Sequence, residues 1–206
     1  MRIAVIAADG RSGQFFVEAA LAAGYTVRAG IYGKNRFSSH PRLTVLQCDA
    51  TNETHVAKLL HQTDAVVSLI GHVPGSERDV QTIATRTVLK VMSQRGIRRI
   101  VSLTGTGVRV PGDKPGVVDK LANLFIAKVD PNRVRDGITH AEVLKASDID
   151  FTIVRVLKLG NGEGGRYQLT DHGPAKYLTA RREVAAAILE CLEDNRYIRG
   201  YPVIST

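Results

Sequence analysis

Apolar positions along the chain alternate between short continuous runs and stripes spaced three or four residues apart. This is the rhythm of strand–helix–strand units around a parallel sheet. Ile3–Ile6 predicts a first strand, and Gly13–Ala23 a helix with Phe16, Val17, Ala20 and Leu21 on one face. Gly24 ends that helix and Thr26–Ile31 predicts the second strand. Leu43–Cys48 reads as a third strand and Glu53–Leu60 as a short helix. The run Asp64–Ile70 is apolar without alternation, as a strand covered on both faces should be. A long helix over Ser76–Gln94 and a strand over Arg99–Leu103 follow. Pro111 to Pro115 interrupts the rhythm with a loop. Beyond it come an extra amphipathic helix, Val117–Lys128, and a crossover helix, Asn132–Ala146. The chain closes with a strand over Asp150–Val154, a Gly-rich loop from Gly160 to Gly165, a small hairpin, a helix over Glu183–Leu192 and a strand over Pro202–Ser205. The expected architecture is a single α/β domain, a Rossmann-type doubly wound parallel sheet.

The junction between the first strand and first helix is the most informative stretch. Ala7-Ala8-Asp9-Gly10-Arg11-Ser12-Gly13 turns directly from one into the other. Unpaired N–H groups in the first helical turn, together with the helix dipole, make such a place a phosphate site. Gly10 and Gly13 are spaced as the last two glycines of a G-x-x-G-x-x-G loop, with Ala7 where the first would stand.

Composition changes this picture little. With 44% hydrophobic and 23% charged residues in 206, one domain with a full core is expected. No apolar run approaches the roughly 20 residues of a membrane span, and strand-like sequence from position 2 leaves no room for a signal peptide. A cytoplasmic protein is the expectation. Cys48 and Cys191 lack metal-type spacing and read as buried apolar thiols. The net charge of +8 comes from scattered cations with no Trp and no basic run interleaved with aromatics. A basic surface around a phosphate-bearing ligand accounts for it, and no nucleic-acid partner is expected.

Five ordered segments carry a resemblance that spans nearly the whole length. They are Ala7 to Gly13, Val45–Asp49, Val66–Gly71, Glu142–Arg155 and Ala180–Ala185. The chain resembles the atypical short-chain dehydrogenases/reductases, in particular the NAD(P)H-binding group of NmrA-like proteins and flavin (biliverdin) reductase B types. The resemblance implies a dinucleotide held by Ala7, Asp9, Gly10, Arg11, Ser12 and Gly13. Asp49, with Ala50 beside it, would accept from the adenine amino group or, as a good N-cap residue, cap the following helix. Leu69, Ile70 and Gly71 would approach the ribose and nicotinamide, though Gly71 would equally serve to leave the strand. Backbone around Val156 and Leu157 would meet the carboxamide.

The expected cofactor is NADP(H). An NAD site places a carboxylate near the end of the second strand, and Gly30-Ile31-Tyr32-Gly33-Lys34-Asn35-Arg36 contains none. Lys34, Arg36 or Arg11 would pair with a 2′-phosphate, or Lys34 and Arg36 are solvated loop cations. Tyr32 stands where relatives often carry Arg, so it would stack on adenine without supplying charge.

The proton-moving pair of many short-chain reductases, Tyr-x-x-x-Lys, is missing. With Glu142 setting the register, Val134 and Ile138 fall on its two positions. His140 lies about 200° around the helix from Ile138 and is expected to face away from the cofactor, on an outer face shared with Asp136. Thr104, placed just after the fifth strand, is the candidate catalytic hydroxyl or else part of a turn. His72 would sit beside the nicotinamide or be a solvated loop residue. The expected function is an NADP(H)-dependent reductase of a flavin, quinone or similar conjugated small-molecule acceptor. The alternative is a non-catalytic NADP(H)-binding regulator with a protein partner. The stripe Val118, Leu121, Leu124 and Phe125 would cover a substrate pocket or join a second copy as a homodimer.

Overall fold

A computed structural model describes residues 1–206. The chain forms ten strands and six helices, in the expected order up to β6. β1 (Arg2–Ile6), α1 (Arg11–Ala22), β2 (Thr26–Ile31), β3 (Leu43–Gln47), α2 (Glu53–Leu59) and β4 (Ala65–Ser68) form the first half. α3 (Val80–Arg95), β5 (Arg99–Gly105), α4 (Val117–Val129), α5 (Pro131–Lys145) and β6 (Asp150–Val156) continue it. β7 (Leu159–Gly160), β8 (Gln168–Thr170), β9 (Thr179–Ala180), α6 (Arg181–Glu193) and β10 (Val203–Ser205) complete the chain, with a short 3-10 turn at Asn195–Tyr197.

The main sheet has the order β3-β2-β1-β4-β5-β6-β10-β8, parallel throughout except where β8 runs against β10. Strand order therefore reverses between β1 and β4, and the crevice at their carboxyl ends is where such sheets take ligands. Both faces are covered. One core gathers Phe16, Val17 and Ala20 of α1 with Val184, Ala187 and Ile188 of α6. The other gathers Val56 and Leu59 of α2, Val88 and Met92 of α3, and Ala141 and Leu144 of α5. The chain is a single α/β unit of Rossmann type. No helix is long and apolar enough to cross a membrane.

Several boundaries move for a physical reason. α1 starts at Arg11, before the first apolar residue of its stripe, because the Gln14 N–H already bonds the Gly10 carbonyl. β5 runs on to Gly105 and β6 to Val156 because the two strands pair in register to their ends. Thr104 thus lies inside β5, not after it, and Arg155 inside β6. β4 stops at Ser68, which leaves Leu69, Ile70 and Gly71 as the exit into the crevice. The expected hairpin does not form. Its segments pair elsewhere, β8 with β10 and β9 with β7.

The face assignment of α5 is corrected. Asp136 and His140 are 3% and 1% exposed, while Ile138 is 39% exposed. The direction opposite Ile138 is not solvent but the sheet and α3, where His140 meets Ser102 and Asp136 meets Thr82. On α4, Leu121 and Phe125 of the apolar stripe are 62% and 64% exposed. Cys48 and Cys191 are buried free thiols as expected, and desolvation pushes each up to about 12.

Candidate dinucleotide site

The turn after β1 is built by backbone. The Ala8 N–H donates to the Gly30 carbonyl (2.9 Å) and the Gly10 N–H to the Ala7 carbonyl (3.1 Å). A side chain at Gly13 would put its Cβ 2.4 Å from the Ala7 oxygen, so α1 approaches this turn as closely as only glycine allows. Ala7 has φ +58°, the left-handed region, which explains why the matching pattern has glycine there. At the start of α1, the N-cap Gly10 has no side chain and the first turn holds no acidic residue. The N–H groups of Arg11, Ser12 and Gly13 find no acceptor in the chain. Four features converge: free donors, a helix dipole, close backbone approach and the switch point of the sheet. The residues present fit a diphosphate.

A cleft of about 300 Å³ opens beside this turn, lined by Arg11, Gln14, Phe15, Glu18, Arg36 and Asn161. Arg11 and Arg36 are thus brought together. Tyr32 is 72% exposed at the end of β2, with Lys34 exposed on the same loop. A carboxylate does stand at this strand end, though from another loop. Asp9 Oδ2 accepts from the Gly33 N–H at 2.7 Å. Linear reading missed it because the two residues meet only through the pairing of β1 with β2.

Asp49 closes a turn, its Oδ1 accepting from the Thr51 N–H (2.9 Å) and hydroxyl (2.7 Å). The cap of α2 is instead Asn52, which accepts from the His55 N–H. Ala50 is half-buried beside Asp49. Leu69 and Ile70 are half-buried at the exit of β4 and Gly71 is exposed. Val156 is buried at the end of β6, and its carbonyl accepts from the Thr106 N–H at 3.0 Å.

On the substrate side, the Thr104 hydroxyl faces α5. A Cβ at Gly137 would lie 3.1 Å from Thr104 Oγ1. Val134 packs over the exit of β5, with its Cγ1 3.5 Å from where a Gly107 Cβ would be. Val134 therefore stands over the exit of β5, Ile138 is 39% exposed on the same helix, and neither side chain can carry a proton. His72 is not a solvated residue. Its Nε2 lies 3.1 Å from Asp136 Oδ2, and its side chain is 12% exposed. Asp136 in turn accepts from the Gln81 and Thr82 N–H groups, each at 2.9 Å, and from the Thr82 hydroxyl. It caps α3 from α5, in place of Asp79, whose side chain makes no capping bond. His140 Nε2 meets Ser102 Oγ at 2.9 Å, and burial pushes its imidazole down to about 4, so it is neutral at pH 7. No group of three or more His, Cys, Asp or Glu side chains could hold a metal ion.

Sequence reasoning also passed over Arg181 and Asn161. Arg181 is 5% exposed, and one of its terminal N–H groups donates to Asn161 Oδ1 in the Gly160–Gly165 loop. The other end of that loop is fastened by Glu183, which accepts from the Gly165 N–H at 2.7 Å. The signal available in sequence was the pair of cations opening a helix, where the dipole disfavours them.

Comparisons with known proteins agree with this fold. The chain is similar over its full length to the oxidoreductase ylbE from Lactococcus lactis, with 16% identity, 91% of that chain covered and a TM-score of 0.83. A wide-type short-chain dehydrogenase/reductase from Veillonella parvula, solved in complex with NADP, shares 20% identity over 100% of this chain and 94% of its own, with a TM-score of 0.81. A proposed NADH-flavin reductase from Streptococcus pneumoniae shares 17% identity over 99% and 98%, with a TM-score of 0.74. At these identities the likeness is one of fold. No curated protein sequence matches the chain. The model of a family described as NAD(P)H-binding matches residues 7–195, from the turn after β1 to just past the end of α6. The chain belongs to this NAD(P)H-binding family.

Proposed function

We propose that the chain is an NADP(H)-dependent reductase that delivers hydride to a conjugated small-molecule acceptor such as a flavin or quinone. The observation that carries this reading is the start of α1, where three N–H groups are free and the cleft beside them is lined by Arg11 and Arg36, with Glu18 its only carboxylate. In this reading Gly10, Arg11, Ser12 and Gly13 hold the diphosphate. Arg11, Lys34 and Arg36 meet the 2′-phosphate, and Tyr32 stacks on the adenine. Asp49 and Ala50 meet the adenine edge, Leu69 to Gly71 the nicotinamide ribose, and the Val156 backbone the carboxamide. The Thr104 hydroxyl, which makes no hydrogen bond within the chain, orients the acceptor.

Bound nicotinamide supplies the hydride. Because Val134 and Ile138 cannot transfer a proton, the acceptor must be one that takes its proton from water after hydride arrives. Flavins and quinones do so, and positioning then supplies much of the rate. Simple ketones would leave an alkoxide with no donor. The same pair, Val134 and Ile138, is what favours the second reading, a regulator that binds NADP(H) without turnover.

Calorimetric titration with NADPH, NADP, NADH and NAD, followed by turnover assays on flavins and quinones, tests both. NADPH binding at least about tenfold tighter than NADH, with acceptor reduction, is the expected result. Tighter NADH binding would hand the ribose hydroxyls to Asp9 and overturn the choice of NADP(H). Binding without turnover would leave the regulator. No binding of any of the four would overturn both readings.

A further inference from the structure

The fold contains two deeply buried arginines, and they are treated very differently. Arg155, fully buried in β6, forms a bidentate pair with Asp113 (2.6 and 2.9 Å) and also donates to the carbonyls of Val108, Tyr201 and Asp171. Its charge is answered in full. Arg181, at the first position of α6, has one partner in the chain, the Asn161 side-chain amide, and its Nε is buried with none. The hydroxyl of Thr179, two residues before it, is also buried without a partner.

Three terms oppose a cation at Arg181. It is removed from water with no carboxylate to pair with it. It stands at the N-terminal, positive end of a helix dipole. Arg11 lies close enough that its charge, after desolvation, adds to holding the Arg181 guanidinium below its ordinary value. Evolution of a stable core alone would replace such a residue. A single dianion placed between the starts of α1 and α6 would reverse all three terms at once.

We propose that Arg181 binds the diphosphate bridge of the dinucleotide from the α6 side, opposite the free N–H groups of α1, and that its bond to Asn161 draws the Gly160–Gly165 loop over that bridge. The inference rests on the cofactor reading above and extends it to a residue outside the Gly-rich turn. The loop suits this role because it is anchored to the first turn of α6 at both ends, by Arg181 at Asn161 and by Glu183 at Gly165. Whatever fixes that turn fixes the loop.

The test compares wild type with Arg181→Met, Arg181→Lys and Asn161→Ala, each titrated with NADPH, inorganic pyrophosphate and adenosine. Arg181→Met should weaken NADPH and pyrophosphate about 10- to 100-fold, the range of a lost charged hydrogen bond, and leave adenosine unchanged. Arg181→Lys keeps the charge and should recover most of the loss. Asn161→Ala should cost less, through the loop alone. Thermal unfolding separates this role from a structural one. Without ligand, Arg181→Met should melt no lower than wild type, because an unanswered charge has been removed, while the Tm rise that NADPH gives wild type should shrink.

A ligand-free Tm well below wild type, or unchanged affinity for NADPH and pyrophosphate in Arg181→Met, would overturn the inference and leave the cofactor reading intact. Pyrophosphate binding that depends on Arg181, in a protein that takes no dinucleotide, would instead sink the cofactor reading and leave an anion site. Binding of neither probe by wild type would sink both.

Discussion

On the α3–α5 side of the sheet, buried polar groups answer one another. Asp136 gathers two backbone N–H groups, a hydroxyl and His72, and His140 meets Ser102. On the α1–α6 side they do not. The first turn of α1 keeps its N–H groups free, Arg181 has no counter-ion, and Arg11 stands near it. Both regions bury polar atoms at the same end of the sheet, so burial by itself says nothing about function. What separates them is whether the chain completes its own hydrogen bonds. A completed network stabilises the fold, and an incomplete one is a site whose missing partner comes from outside.

The comparison breaks if Asp136 turns out not to matter to stability. Asp136→Ala would leave the first turn of α3 uncapped and several buried donors unpaired. A loss of about 3 kcal/mol in urea unfolding is expected. A loss under about 1 kcal/mol would mean that water reaches those donors and that the two sides do not differ as described.

His140 sharpens the same contrast. Its folded-state pKa is lowered to about 4 by burial, against an ordinary 6.5, with the Gly137 carbonyl and Asp136 opposing the shift. The unfolded chain therefore binds the extra proton first. Stability on this account is full above pH 6.5 and falls as pH drops toward 4, by about 2 kcal/mol between pH 7 and pH 5. Urea midpoints at those two values should show the slope in wild type and its loss in His140→Gln. An equal slope in both proteins would place the titrating group elsewhere.

How far the sequence reveals this division depends on the range over which each feature is decided. The turn from β1 into α1 was legible because strand, glycines and helix lie within a few residues and follow local rules. On α5, periodicity correctly grouped Asp136 with His140 but could not say what lay in their direction. Only packing shows that α3 and the sheet fill it. The α4 stripe is the converse, apolar at helical spacing yet facing outward. Strand ends were set by partners, as Thr104 shows by pairing with Arg155 beyond the expected end of β5. Asp9 beside Gly33 and Arg181 beside Asn161 were out of reach, because each pair meets through tertiary structure.

Ala7 gives the smallest effect and tests the α1–α6 side without touching its charges. Its φ of +58° places an L side chain in the left-handed region, which costs about 1 kcal/mol or more relative to glycine. The conformation is imposed, since the Ala7 carbonyl must accept from Gly10 while α1 presses against it at Gly13. Glycine would relieve the strain but gain freedom in the unfolded chain, which returns part of the benefit. Ala7→Gly should therefore raise stability by about 0.5 kcal/mol, with cofactor affinity unchanged because the turn already has its binding shape. A gain in affinity together with stability would show that Ala7 holds the turn short of that shape. The incompleteness of this side would then lie in its backbone as well as in its charges.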